Sequence, residues 1–385
     1  MLLIFPLLIS SSFIMAYAQQ PQLASYRETA HVLVDEKVQN QTTAFITLAS
    51  TSPVEIKVPT DLNEKIHATS NLTSIVVTNA DKCILGVQDQ GCVLINIVSP
   101  TLVGSYNITT IQTVSRSIGD SLIDNINKAF AINAQFNSVY VTPNGGLGSA
   151  LGTSGVITGN KTISVVYTMS RPDSSYLFDG LTAILIPKQI RDDGGFFDAA
   201  KKMAQDSNST VTFAITPGQG DTLLSQLQVA KHYPITNKIT SIKPLELLGV
   251  DKLERSSYFS VGFFPLNSIL DVTVISNDNI AVTNHGDLAP TTIKNGQKFP
   301  TDLTKPGWII DPESGKQISA VYLFGTTTSV TDDQSALTLG PYNGQPIENN
   351  TKAPTPTNSD NYSIYALIGI VAVGAAAIYL FMKRR

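Results

Sequence analysis

The sequence predicts a β-rich α+β ectodomain with an N-terminal β-sandwich-like region, an α+β middle region and a single C-terminal transmembrane helix. Three observations support this class. Short β-branched runs separated by polar turns fill the first third of the chain, apolar residues at helical spacing begin near residue 118, and an uncharged apolar run occupies 364–382. The predicted segments are 1–18, 19–115, 116–285, 286–340, 341–362, 363–382 and 383–385.

The first segment, 1–18, has the pattern of a cleaved secretory signal peptide. Its apolar run ends in Ala16-Tyr17-Ala18, an A-x-A cleavage site that predicts Gln19 as the first mature residue. No Lys or Arg precedes the run, which departs from the usual signal. The alternative is an uncleaved N-terminal anchor, but the run is short for a membrane span and Pro6 interrupts it.

The C-terminal apolar run predicts a transmembrane helix over 363–382. Its length matches a hydrocarbon core of about 30 Å, and a buried core helix would be neither so long nor so uniformly apolar. Lys383, Arg384 and Arg385 follow it directly. The positive-inside rule therefore predicts a single-pass protein of the cell membrane with its N-terminus outside and its C-terminus in the cytoplasm.

The segment before the anchor, 341–362, is rich in Pro, Asn, Thr and Ser and has little apolar content to bury. This composition predicts a flexible stalk. The whole chain has a formal net charge of −4 and only 15% charged residues, without a Lys/Arg cluster before the tail. Nucleic acid is therefore not an expected partner, because its recognition requires a basic surface. The lipid bilayer is an expected partner, with envelope proteins or surface glycans as further candidates.

The only two cysteines, Cys83 and Cys92, lie in two β-like runs around a polar loop. In an oxidising compartment this arrangement predicts a hairpin closed by a disulfide bond. A zinc site would need four ligands at shorter spacings, and a redox motif would need CxxC. Seven N-x-S/T sequons are candidates for glycosylation: Asn40, Asn71, Asn107, Asn160, Asn208, Asn349 and Asn361.

Periodicity gives a coarse order of elements. Five short β-branched runs predict strands at 31–34, 44–48, 74–78, 93–97 and 106–111, before the helical spacing begins. Helices are predicted at 118–130 and 195–205, with a third helical patch at 223–230 and a further candidate segment at 244–253. Strands return at 258–264, 270–275 and 280–283, and a final hairpin joins 307–310 to 318–324.

No motif in the chain specifies a catalytic or metal site. The Gly-rich segment 144–159 lacks the GxGxxG register and the GK[ST] pair of phosphate-binding loops. No G-x-S-x-G motif is present, and the four histidines, His31, His67, His232 and His285, are scattered, although a triad could still assemble in space. The acidic pairs 192–193 and 332–333 and the segment 277–279 do not match a calcium-binding loop. We therefore expect no cofactor, no metal and no assigned catalytic residue.

Three functional hypotheses remain. The favoured one is a non-enzymatic cell-surface protein with a binding, adhesion or envelope-structural role, since an anchor, a stalk and sequons occur together without a catalytic motif. The second is a membrane-tethered extracellular hydrolase acting through the middle region. The third is an accessory subunit of a membrane complex, because Gly369, Gly374 and neighbouring alanines would allow another helix to approach closely.

Overall fold

The computed structural model describes residues 25–52, 60–80, 89–98, 108–142, 162–186, 188–192, 194–217, 223–256 and 268–342. The elements of the first half are β1 (Ser25–Asp35), β2 (Gln41–Ser52), α1 (Thr60–Ala68), β3 (Leu72–Thr78), β4 (Gln90–Val98), α2 (Ile108–Phe130), β5 (Gln135–Thr142), β6 (Thr162–Ser170), α3 (Ser174–Leu185), α4 (Lys188–Asp192), α5 (Phe196–Ala204) and β7 (Thr210–Pro217). The second half contains β8 (Leu223–Pro234), β9 (Ser241–Ile242), α6 (Pro244–Leu248), β10 (Lys252–Glu254), β11 (Ser268–His285), β12 (Thr291–Lys294), β13 (Gln297–Pro300), β14 (Gly307–Ile310), β15 (Ser314–Leu323), β16 (Ser329–Thr331), α7 (Asp332–Ser335) and β17 (Leu337–Pro341).

One large mixed sheet organises these elements and confirms the prediction of a β-rich chain. Its thirteen strands run in the order β14-β15-β11-β1-β2-β8-β7-β3-β4-β6-β5, and β17 joins at β11 and carries β9. The β1–β11 pair is parallel, and the other described pairs of this sheet are antiparallel. The strands β10–β16 and β12–β13 form two small separate sheets.

Apolar residues at every second position of β1 and β2 give the sheet one strongly apolar face. Ala30 and Val32 on β1, and Ala44 and Ile46 on β2, are fully buried in the main core. Successive side chains of a strand point to opposite faces, so these even-numbered residues share one face. Each fully buried Val or Ile side chain contributes roughly 1.5–3 kcal/mol relative to an exposed one.

The helices cover this apolar face. Leu122, Ile126 and Phe130 of α2 recur at helical spacing and belong to the same core cluster as the β1 and β2 residues. Phe196 and Met203 of α5 belong to it as well. Helices over 118–130 and 195–205 were predicted from this spacing, and both are present, although α2 begins ten residues earlier.

Two predicted elements are wrong. The predicted strand at 106–111 is replaced from Ile108 onward by α2, whose apolar positions Ile111, Ile118 and Leu122 continue the helical period. The predicted helix at 223–230 is strand β8, in which Leu223, Leu227 and Val229 are buried on one face. Backbone pairing with β2 on one side and β7 on the other decides this conformation.

The N-terminal strands do not pair as a sandwich-like region of their own. Strand β1 pairs with β11, and β2 pairs with β8, so strands predicted for 19–115 are built into a sheet with strands from 223–285. The predicted sandwich is therefore corrected to one part of a larger sheet. The domain boundaries within 19–340 remain a prediction.

The hairpin predicted between 307–310 and 318–324 is present and packed. Strands β14 and β15 pair from Gly307↔Leu323 to Ile310↔Ala320. Trp308 is fully buried, and its ring meets Tyr322 edge-on with centroids 5.3 Å apart. Across the residues that the structure covers, no helix is long and apolar enough to cross a membrane. The predicted signal peptide, the stalk beyond Tyr342 and the transmembrane segment lie outside the described residues.

Candidate binding face

The sheet presents a second face, opposite to the one that carries the main core. On this face a small buried cluster consists of the strand residues Cys92, Leu94 and Val166. Side chains of β3, β4, β6, β7 and β8 that point to this side are mostly hydroxyls and amides. We call this part of the sheet the polar face.

Strand register aligns the polar face into rows. One row crosses the five strands of the polar face and continues onto β2 and β1, through residues that are direct partners of their neighbours: Thr168, Cys92, Thr78, Thr212, Gln228, Thr47 and Thr29. Because neighbouring strands lie about 4.7–4.9 Å apart, side chains in such a row touch one another. The sequence could not reveal this row, since its members come from distant segments.

Hydrogen bonds between strands fix part of the polar face. Thr78 Oγ1 and Thr212 Oγ1 share a hydrogen bond of 2.8 Å. Asn96 connects two further strands, because its Nδ2 donates to Ser74 Oγ at 2.9 Å and its Oδ1 accepts from Ser164 Oγ at 2.7 Å. The hydrogen bonds of these side chains are made within the protein, so they hold neighbouring strands together and are not available to a ligand.

Two glutamine amides on β8 differ from these paired groups. Gln226 and Gln228 are partly exposed, and neither side chain has a hydrogen-bond partner among the described residues. Gln226 lies between Ala214 and Ala49 in the register, so only methyl groups flank it. Each amide offers two donor hydrogens and an acceptor oxygen to a molecule on this face.

The polar face carries no Asp, Glu, Lys or Arg on β3, β4, β6, β7 or β8; His232 is its one titratable side chain. The side chains that its strands direct there are Ser74, Val76, Thr78, Cys92, Leu94, Asn96, Ser164, Val166, Thr168, Thr210, Thr212, Ala214, Thr216, Leu224, Gln226, Gln228, Ala230 and His232. Some of these side chains are buried, among them Thr78, Asn96 and Ser164. The partly exposed hydroxyls and amides, such as Thr212, Gln226 and Gln228, are uncharged and suit a neutral ligand that donates and accepts hydrogen bonds.

A histidine–carboxylate pair lies on the same side of the sheet, on β1 and β11. His31 and Asp271 are direct partners in the parallel register, and His31 Nδ1 contacts Asp271 Oδ1. The His31 ring also packs against Phe45, with centroids 4.7 Å apart. Burial lowers the pKa of His31 to about 3.

The other histidines do not complete a catalytic arrangement within the described residues. His232 Nδ1 lies 3.1 Å from Thr43 Oγ1, and His285 Nδ1 lies 2.9 Å from the Gly286 carbonyl oxygen. His67 lies on α1. In the described ranges no hydroxyl or thiol is hydrogen-bonded to His31, so a nucleophile beside the His31–Asp271 pair is not observed.

Glu28 is a buried carboxylate that the sequence analysis missed. It is fully buried on the helix-covered face of β1, and its Oε1 accepts a hydrogen bond of 2.9 Å from the Ser256 backbone N–H. The signal was present in the sequence, because Glu28 occupies the same alternating positions as Tyr26 and Ala30. Its hydrogen bond holds the segment after β10 against β1.

The predicted disulfide and glycosylation residues are only partly covered. Cys92 is fully buried on β4, whereas Cys83 lies outside the described residues, so the disulfide stays a prediction. Asn40 and Asn208 are exposed in turns, and Asn71 is half-buried before β3. Four sequons lie outside the described residues: Asn107, Asn160, Asn349 and Asn361.

The acidic segments have structural partners where they are described. Asp192 pairs with Lys188, Asp278 with Lys238, and Asp332 Oδ1 accepts from the Leu245 backbone N–H at 3.2 Å. Within the covered ranges no group of three His, Cys, Asp or Glu side chains could hold a metal ion. The Gly-rich segment 144–159 and the predicted strand at 258–264 lie outside the described residues.

Comparison with known proteins does not assign the chain to a family. No protein-family model matches the chain, and no curated protein matches it.

Proposed function

We propose that the chain is a non-enzymatic, membrane-anchored protein of the cell surface, and that the polar face is its binding site. The observation that carries this proposal is the pair of partly exposed amides, Gln226 and Gln228, on an uncharged face without a described helix packed over it. The predicted signal peptide, stalk, C-terminal anchor and sequons support an extracytoplasmic position. Envelope glycans are the proposed ligands, because their neutral hydroxyls complement amide and hydroxyl groups.

Binding is tested with the full-length chain in lipid nanodiscs against an array of neutral and acidic glycans. The Gln226→Ala/Gln228→Ala variant removes two sets of hydrogen bonds worth about 0.5–1.5 kcal/mol each. We expect its affinity to fall by roughly fivefold to a hundredfold. Gln205→Ala, at an exposed position after α5, is the matched control and should bind as the unmodified chain does.

Two results would count against this proposal. Binding that is unchanged in the double variant would place the ligand elsewhere on the molecule. Binding to neutral glycans that does not exceed the background signal would exclude glycans as the ligand class.

The topology is tested separately on intact cells with an amine reagent that cannot cross the membrane: exposed Lys37 and Lys294 should react, and Lys383 should not.

A tethered hydrolase is the second candidate, and the His31–Asp271 pair is the observation that favours it. A carboxylate in contact with one imidazole nitrogen is the orientation found in acid–base catalysis. The purified chain would then hydrolyse members of a panel of peptide, ester and glycoside substrates, and His31→Gln would abolish that activity. An accessory-subunit role would instead appear as co-purification with stoichiometric membrane proteins in mild detergent.

A further inference from the structure

Strand β5 is the last strand at one end of the large sheet. It spans Gln135–Thr142 and pairs with β6 alone. Its outward backbone N–H and C=O groups therefore have no described strand beside them. Such an edge is a ready template for another strand, because each outward group can form a ladder hydrogen bond.

The opposite end of the sheet is closed in a different way. Strand β14 has only four residues, and the segment before it runs along its outer side. The Trp308 backbone N–H donates to the Asp287 carbonyl oxygen, and the Ala289 backbone N–H donates to the Trp308 carbonyl oxygen, both at 2.9 Å. This end is therefore protected, whereas β5 has no equivalent contact in the described part of the chain.

The sequence of β5 also lacks the usual protection of an edge strand. Its eight residues, QFNSVYVT, contain no charged side chain and no proline. Tyr140 is 39% exposed. A single irregularity, at Asn137 between the Phe136 and Ser138 pairs, is the one protective device that the strand has.

We infer that β5 of one copy pairs in antiparallel fashion with β5 of a second copy, which joins two sheets into one. A two-fold axis makes such an interface self-complementary, and an uncharged strand places no like charges opposite each other. The backbone supplies the recognition, as in other strand-addition interfaces. Pairing of β5 with β5 occupies this edge in both copies, so the contact joins two chains.

The test is native mass spectrometry of the full-length chain in mild detergent. We expect a dimer for the unmodified chain and a monomer for Asn137→Lys/Tyr140→Lys, whose dissociation constant should rise at least about tenfold. Two lysines on the edge repel their counterparts in the second copy, while Asn137 lies outside the β5–β6 register. The control Tyr176→Lys/Asn237→Lys introduces the same residue changes at exposed positions on α3 and after β8, and should remain dimeric.

A monomeric unmodified chain, or a dimer that the β5 variant leaves intact, would overturn the inference; the latter would place the contact in another segment. Hydrogen exchange covers the case in which the variant fails to fold. In the unmodified chain, amides of 135–142 should exchange more slowly as the protein concentration rises. Exchange that does not depend on concentration, or a foreign protein cross-linked to β5, would also overturn it.

Discussion

Gly119 is the point at which helix α2 rests directly on strand β6. A Cβ added there would lie 2.5 Å from Tyr167 Oη and 2.9 Å from Val165 Cγ1. Tyr167 Oη also donates a hydrogen bond of 2.8 Å to Asp120 Oδ1, which ties the next residue of the helix to the sheet. Gly119→Ala therefore has to separate the helix from the strand or displace the tyrosine.

Three contributions decide the size of this effect. Replacing a helical glycine with alanine stabilises the helix itself by about 1 kcal/mol. Overpacking a filled contact costs about 1–3 kcal/mol, and losing the Tyr167–Asp120 hydrogen bond costs about another 1 kcal/mol. The expected net result is a decrease of about 1–3 kcal/mol in the free energy of unfolding.

The assay is urea unfolding followed by the fluorescence of Trp308, the only tryptophan, which is fully buried. Gly180→Ala is the matched control: its added Cβ has no neighbour nearer than the Phe130 carbonyl oxygen at 3.9 Å. That variant should be more stable by about 0.5–1 kcal/mol. Two glycines in helices are thus predicted to respond with opposite signs.

A double-mutant cycle identifies the tyrosine as the cause. Tyr167→Phe removes the Oη atom nearest to the added Cβ, so Gly119→Ala should cost less in that background than in the unmodified chain. The remaining Val165 contact should keep some of the cost. An alanine at 119 that stabilises the chain, or costs that simply add, would refute the close contact between α2 and β6.

Three further predictions concern other parts of the chain. Because burial lowers the pKa of His31 to about 3, unfolding gains a proton below about pH 6.5. The free energy of unfolding should then fall toward pH 3 by at most about 1.4 kcal/mol per pH unit, and an equal slope in His31→Gln would contradict this. Gly296 has a φ of 79° in open space, so Gly296→Ala should cost the β12–β13 hairpin about 1 kcal/mol, visible as faster amide exchange over 291–300 alone. Peptide mapping without reductant should recover Cys83 and Cys92 in one cross-linked species, whereas two alkylated thiols would exclude the disulfide.

Local sequence patterns predicted those elements in which the spacing of apolar residues matches the face that is buried. The face of α5 and the β14–β15 hairpin were recognisable because apolar spacing and burial agree there. The segment 223–230 failed because Leu223, Leu224, Leu227 and Ala230 fit a helical face as well as a strand. Only the partners β2 and β7 decide between the two.

One local signal was overlooked, and one arrangement had no local signal. Asn295-Gly296 between two polar strands is a strong hairpin pattern, and the structure forms β12–β13 there with positive φ at both residues. The polar face and the His31–Asp271 pair depend instead on register between distant strands. No window of sequence contains both members of such a pair.

The parallel pairing of β1 with β11 also constrains the order in which the large sheet can form. Ser276 Oγ donates to Glu36 Oε2 across a separation of 240 residues, and β1 has no partner on that side until β11 has been synthesised. A chain that folds from its N-terminus would therefore hold the β1–β2 hairpin with both edges unpaired until β8 and then β11 follow. Until those strands are available, the edges of the β1–β2 hairpin are the part of the sheet most prone to pairing with other chains.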